Sequence, residues 1–242
     1  MLQNERSLEM TKQKHQTEYV VRCLFERVGD ASFVGHLDLM HTFDRAIRRA
    51  EMPILYSQGY NPRPMMVFAL PLGVGIDTLG DYVDVSLAHV VDAQEFMDKV
   101  NPNLPKGVRL YGGINIDEPK NSLMSVVSVA MYRFEAPGIK APLMHLFERD
   151  TIEVQKKSKG KIVTTDIRPL LLSGAQNPSA SEDVVEIYCC AGSSKNLRPD
   201  VLMNALCVHE GYDEDLAANA SVTRLMLYGG EYPRLIDIKE LL

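Results

Sequence analysis

Residues 19–28 read Tyr19-Val20-Val21-Arg22-Cys23-Leu24-Phe25-Glu26-Arg27-Val28, and the fold is read outward from them. Tyr19, Val21, Cys23 and Phe25 fall on one side while Arg22 and Glu26 point to the other, the period-2 pattern of a strand. Beyond Gly29-Asp30 and Gly35 the period changes. Leu37, Met40, Phe43, Ile47 and Ala50 recur at intervals of three and four, which is the buried stripe of an amphipathic helix over 36–50. Pro53 ends that helix, because a proline has no N–H to continue it.

The same alternation continues downstream. Strands are expected at 66–70 and at 82–87, where Val83, Val85 and Leu87 share a side. A short helix over 93–100 is stopped by Asn101-Pro102, and a strand at 108–111 closes the unit. Strand–helix–strand–strand–helix–strand is the split βαβ, or ferredoxin-like, order. The second half repeats it without repeating the residues: a strand at 126–134, a helix at 142–149, a hairpin with strands near 151–155 and 161–167, a loop over 170–181, a strand at 184–191, a helix from Pro199, and a strand at 222–228. The expected fold is therefore α+β, as two tandem ferredoxin-like (split βαβ) domains. A flexible tail covers 1–16, the first domain 17–116, a linker 117–124 and the second domain 125–242.

Composition agrees with this size of molecule. A chain of 242 residues makes one large domain or two small ones. Its 26 Lys+Arg against 32 Asp+Glu give a net charge of −6, which argues against coating nucleic acid by bulk electrostatics but leaves room for a local basic patch. Cys23, Cys189, Cys190 and Cys207 contain no C-x2-C pair and read as buried thiols of a reduced protein, so no metal or other cofactor is expected. The polar start of the chain lacks the apolar core of a signal peptide, and the run 65–76, broken by Pro71, Gly73 and Gly75, is too short to span a membrane. A cytoplasmic protein without a membrane partner is expected.

Three places concentrate binding chemistry. His36 and Asp38 open the first helix, where free N–H groups favour an anion and a neutral imidazole can move a proton. The alternative is that they only cap and balance the helix. Further along, His41, Arg45, Arg48 and Arg49 extend a polar band that either solvates the helix or contacts phosphates. The loop Ser57–Pro64 carries Gln58, Gly59, Tyr60, Asn61 and Arg63. Its glycine permits a positive φ, and the prolines on either side of Arg63 stiffen the display. Last, Lys156, Lys157, Lys159 and Lys161 precede Asp166 and Arg168, which either bind a ligand or pair with each other. No Walker loop, dinucleotide fingerprint, H-E-x-x-H, nucleophile elbow or RNA-recognition-motif signature occurs. Tyr82, Asp84 and Ser86, expected on an open sheet face, are too acidic and sparse to stack bases.

Phe33-Val34-Gly35-His36-Leu37-Asp38-Leu39-Met40, Arg45-Ala46-Ile47-Arg48-Arg49-Ala50 and Tyr56-Ser57-Gln58-Gly59-Tyr60-Asn61-Pro62-Arg63-Pro64 together resemble the bacterial radical SAM-linked protein family. The resemblance continues more weakly through Asp166-Ile167-Arg168-Pro169. It implies an accessory protein that presents a substrate to a separate radical SAM enzyme encoded nearby, in RNA or ribosome-linked modification. The chain lacks the C-x3-C-x2-C triad of such an enzyme, in keeping with an accessory. A more distant similarity is to CRISPR RNA-processing endonucleases, which implies metal-independent cleavage by His36, with Gly229-Gly230 in the place of their glycine-rich loop. A protein-only adaptor is the third expectation.

Overall fold

The computed structural model describes residues 19–116, 121–158, 161–175 and 181–241. β1 (Tyr19–Arg27) pairs antiparallel with both β3 (Asp77–Leu87) and β4 (Val108–Ile116), and β2 (Met66–Phe68) pairs with the far end of β3. α1 (His36–Arg49) and α2 (Ala93–Val100) lie on one face of these strands. Their stripe residues Phe43, Ile47 and Phe96 pack with Val21, Cys23, Phe25, Val83 and Val85, so the period-2 and period-3.6 patterns meet in one core.

The second half contains β5 (Val129–Glu135), α4 (Lys140–Glu148), β8 (Leu171–Ala175), β9 (Val184–Cys190), α5 (Pro199–Glu210) and β10 (Ser221–Glu231), with the short α3 (Leu123–Val126) before it and α6 (Glu214–Ala218) within it. β6 (Glu153–Ser158) and β7 (Lys161–Asp166) form a separate two-stranded hairpin. The main sheet runs β4-β1-β3-β10-β5-β9-β8, with β2 on β3 and β11 (Arg234–Asp237) on β10. The fold is thus mixed α+β, with one large mixed sheet and few helices.

Both halves contribute to that one sheet, because β3 and β10 pair in parallel, Asp77 with Thr223 and Thr78 with Arg224. The approach is close enough to require glycine. A Cβ at Gly80 would press on the Leu225 carbonyl oxygen and lie 2.8 Å from Met226 Cα. Of the linker expected at 117–124, residues 117–120 lie outside the described residues, and Leu123 is a buried core residue rather than part of a free tether.

Several expectations are corrected. The face bearing Tyr82, Asp84 and Ser86 is covered, leaving them 1%, 7% and 8% exposed. Leu24 and Tyr82 pack into the second half's core on this side. Arg22 donates to Asp84 and also to the Ile238 and Leu241 carbonyls, at 2.9 and 2.7 Å, so the C-terminal segment is bound down over the first half. The stretch read as a loop over 170–181 contains β8; Gly174 sits there because α4 crosses closely, a Cβ meeting Met144 at 3.0 Å. Gly229 and Gly230 lie inside β10, paired with Ile236 and Leu235, and are not a free glycine-rich loop. After Pro53 the chain makes two isolated bridges, Ile54 with Leu87 and Tyr56 with Pro64. Among the described residues, no helix is long and apolar enough to cross a membrane.

Candidate nucleic-acid interface

The loop 57–64 is closed at its root and open at its tip. Ser57 N–H donates to the Arg63 carbonyl at 2.8 Å, and Arg63 N–H donates back to Ser57 Oγ at 2.9 Å. Tyr56 anchors this root to α1 by donating its hydroxyl to Asp44 Oδ1 at 2.7 Å; burial, then that carboxylate, pushes the phenol up to about 12. The tip is displayed outward: Gln58, Gly59, Tyr60, Asn61 and Arg63 are exposed, Tyr60 fully so at 100%. Gly59 has φ +148°, which supplies the turn its neighbours cannot easily make. The side chains of Gln58, Tyr60, Asn61 and Arg63 make no hydrogen bond among the described residues.

Arg45, Arg48 and Arg49, spaced i, i+3 and i+4, share one exposed face of α1, with His41 a turn earlier. Arg48 lies close enough to Tyr56 for its charge to act on that hydroxyl, which places the helix face beside the loop root. These guanidinium groups and that of Arg63 have no ion-pair partner among the described residues. Elsewhere the pattern is the opposite. Arg22, Arg109, Arg133, Arg149, Arg198 and Arg224 each face a carboxylate, and Arg27 and Arg168 donate to main-chain carbonyls; among the described residues Arg234 is the other unpaired arginine. Partnerless arginines thus gather on α1 and its adjoining loop, with one neighbouring carboxylate, Asp44, engaged by Tyr56 and another, Glu51, exposed just past the end of the helix.

His36 is the first residue of α1, with Gly35 at the N-cap, and its ring stands edge-on to Phe68 at 5.3 Å. Burial, then the Arg27 charge, lowers its pKa, so the imidazole is neutral at pH 7. Asp38 is exposed in the first turn, where its charge suits the helix dipole. α1 separates His36 from Arg49 by about 20 Å, at 1.5 Å per residue. The structure therefore does not bring His36 to the arginine face.

Asp166 and Arg168 serve the backbone. Asp166 Oδ1 accepts the N–H groups of Ile152 and Arg168 at 2.8 and 2.9 Å, which holds its carboxyl below the usual range. Arg168 donates to the carbonyls of Arg149, Leu171 and Phe147, closing the C-terminal end of α4. The hairpin tip with Lys159 lies outside the described residues.

One site was not foreseen from the sequence. At the β3–β10 joint, Arg27, Asp81 and Arg224 are 1%, 4% and 0% exposed. Arg224 pairs with Asp81 and donates to the Leu70 carbonyl at 2.8 Å; Arg27 donates to the carbonyls of Val34, Gly73 and Ile76. Arg27 Nε, Asp81 Oδ1 and Arg224 Nε have no hydrogen-bond partner among the described residues. The available signal was Arg224 itself, an arginine amid the apolar run 222–227. No group of three or more His, Cys, Asp or Glu able to hold a metal occurs among the described residues.

With this geometry in hand, a family model matches residues 21–199: the uncharacterised proteins conserved in bacteria grouped as DUF2344. No curated protein matches the chain. The match spans α1, the loop 57–64 and, of the joint, Arg27 and Asp81, and ends at the start of α5, so β10 with Arg224 lies beyond it. The chain belongs to this uncharacterised bacterial family.

Proposed function

We propose that this protein is an RNA-binding accessory module that presents a phosphate-bearing substrate to a separate enzyme in the cytoplasm. The observation that carries the reading is the cluster of partnerless arginines, Arg45, Arg48, Arg49 and Arg63, beside the exposed Tyr60. Guanidinium forks match phosphate oxygens, and an exposed tyrosine offers a face on which an unpaired base stacks. Gln58 and Asn61 add donors and acceptors at the same tip. A radical SAM enzyme is the partner implied by the sequence resemblance. In this reading each half is a ferredoxin-like unit, supported by the strand orders β4-β1-β3-β2 and β10-β5-β9-β8, each the fourth, first, third and second strand of its half when the hairpin β6-β7 and the edge strand β11 are set aside.

The test is fluorescence anisotropy of the full chain with a labelled single-stranded RNA of mixed sequence, repeated across salt concentrations. Each phosphate contact contributes a slope of about −0.7 in log K against log salt. Replacing Arg48 or Arg63 with Ala is expected to flatten the slope by about that amount and to weaken binding by ~1.5–3 kcal/mol. Identical slopes for wild type and both variants would remove the arginine face from the function. A tagged pull-down at about 0.1 M salt tests the partner, with stoichiometric co-elution of a radical SAM enzyme expected.

Cleavage by His36 is the second reading, favoured by its neutral imidazole, which keeps a lone pair for a 2′-hydroxyl proton. It requires 2′,3′-cyclic phosphate products in EDTA that vanish in His36→Ala; intact RNA after incubation with wild type excludes it.

A further inference from the structure

Three cavities, of about 510, 610 and 560 Å³, all border Asp200 at the start of α5. Two of them also border the loop 71–76 of the first half, so the seam between the halves is a continuous furrow. We propose that this furrow binds a nucleobase, a deepening that rests on the RNA reading and adds a base-recognition site to the arginine face.

The first wall is built in advance. Arg27, buried at 1% exposure, donates to the Gly73 and Ile76 carbonyls at 3.0 and 2.9 Å and holds the loop in one shape. That loop turns Leu72, Val74 and Ile76 toward the cavities, and Pro199 lies across from them. The rim is polar: Asn196 and Asn204 are exposed and their side-chain amides make no hydrogen bond among the described residues. An amide both donates and accepts, as the edge of a base does. On the floor, Tyr132 is 3% exposed; its oxygen accepts from Arg224 Nη1 at 3.5 Å, and its own hydroxyl hydrogen meets no acceptor among the described residues.

Charge decides against a phosphate here. The N-terminal end of a helix ordinarily attracts an anion. At α5 that place is taken by the Asp200 carboxylate, which is held by Arg198, while the Val201 N–H donates to the Arg198 carbonyl. Arg198 and Asp200 cancel, so a further anion gains little. A flat, neutral group with apolar faces and hydrogen-bonding edges fits the walls and the rim together. A base flipped from a single strand is such a group. His36, at the start of α1, borders Leu70–Leu72, which also line the furrow, so the helix that carries the arginine face begins beside it.

The experiment titrates the full chain with each of the four common ribonucleoside 5′-monophosphates and with ribose 5-phosphate, following amide shifts by NMR. At least one nucleotide is expected to bind, with shifts at Val74, Asn196 and Asn204. Ribose 5-phosphate should bind at least tenfold more weakly, and Asn196→Ala and Asn204→Ala should each weaken the nucleotide about tenfold. Equal binding of ribose 5-phosphate, neutral asparagine variants or no nucleotide binding would each overturn the pocket. RNA binding by anisotropy that persists with such a result leaves the arginine face standing alone. Base-dependent nucleotide binding without RNA binding supports the pocket and sinks the RNA reading instead.

Discussion

Arg27 and Arg224 at the joint between the halves carry the same side chain as Arg48 and Arg63 on the α1 face and its loop, in opposite surroundings. At the joint the guanidinium groups are out of water and spend their donors on Asp81 and on main-chain carbonyls. Arg224, on β10, ties the second half to Asp81 and Leu70 of the first, and Arg27 shapes the loop 71–76. On the α1 face the groups are in water and donate to nothing among the described residues. The difference lies in what removal leaves behind. Taking away a buried arginine strands a carboxylate in a low-dielectric interior, whereas taking away an exposed one leaves water in its place.

The largest effect is therefore expected at the joint. Arg224→Met should destabilise the fold by ~3–5 kcal/mol in urea denaturation, because Asp81 is left buried and unpaired. Arg224→Met combined with Asp81→Leu should recover most of that loss; a double variant as unstable as the single one would show that the pair's geometry, not its charge, holds the joint. Next comes Gly80→Ala, whose Cβ would press on the Leu225 carbonyl. A loss of about 1–3 kcal/mol is expected, with faster amide exchange at Thr223 and Arg224, where β10 meets β3.

A smaller effect is expected at His36. Burial and the Arg27 charge hold its pKa below the ordinary 6.5, so between that lowered value and 6.5 the folded state binds fewer protons than the unfolded one. Stability from this group is complete above about pH 6.5 and falls as the pH drops through the window. Subtracting the pH–stability curve of His36→Gln from that of wild type should expose this slope; parallel curves would refute it. Smallest of all, Arg48→Ala and Arg63→Ala should change stability by no more than about 0.5 kcal/mol by the same urea measurement. A larger loss would mean that these arginines belong to the folded structure, and the contrast between the two regions would collapse.

The two regions also differ in how far the sequence discloses them. The loop 57–64 was legible because its inventory is local: a glycine at a positive φ, flanking prolines, and polar side chains with no apolar stripe to bury them. Helix α1 was legible for the same reason, since its stripe lies within one segment, although Leu37, expected in that stripe, is 71% exposed and Leu39 and Ala46 are buried beside Phe43 and Ile47. Asp166 and Arg168 show where such reading stops. Their charges suggested a ligand, yet the carboxylate and guanidinium end on backbone groups of Ile152, Arg149 and Phe147, brought to them by folding. β8 was lost among Gly174 and Asn177, because a glycine needed for helix crossing looks the same as one needed for a turn.

By itself the sequence determined the alternation of strand and helix, the buried stripe of α1, the exposed loop and the mixed α+β class, because each depends on residues within a few positions of one another. Only the tertiary structure decided that β3 and β10 join the halves into one sheet, that the C-terminal segment covers the face of Tyr82 and Asp84, and that Arg27, Asp81 and Arg224 meet beneath the furrow at α5. Those contacts join residues up to 219 positions apart. A partner that distant leaves no period in the chain; its trace is a charged residue in an apolar strand, which acquires meaning only when the other strand is in place.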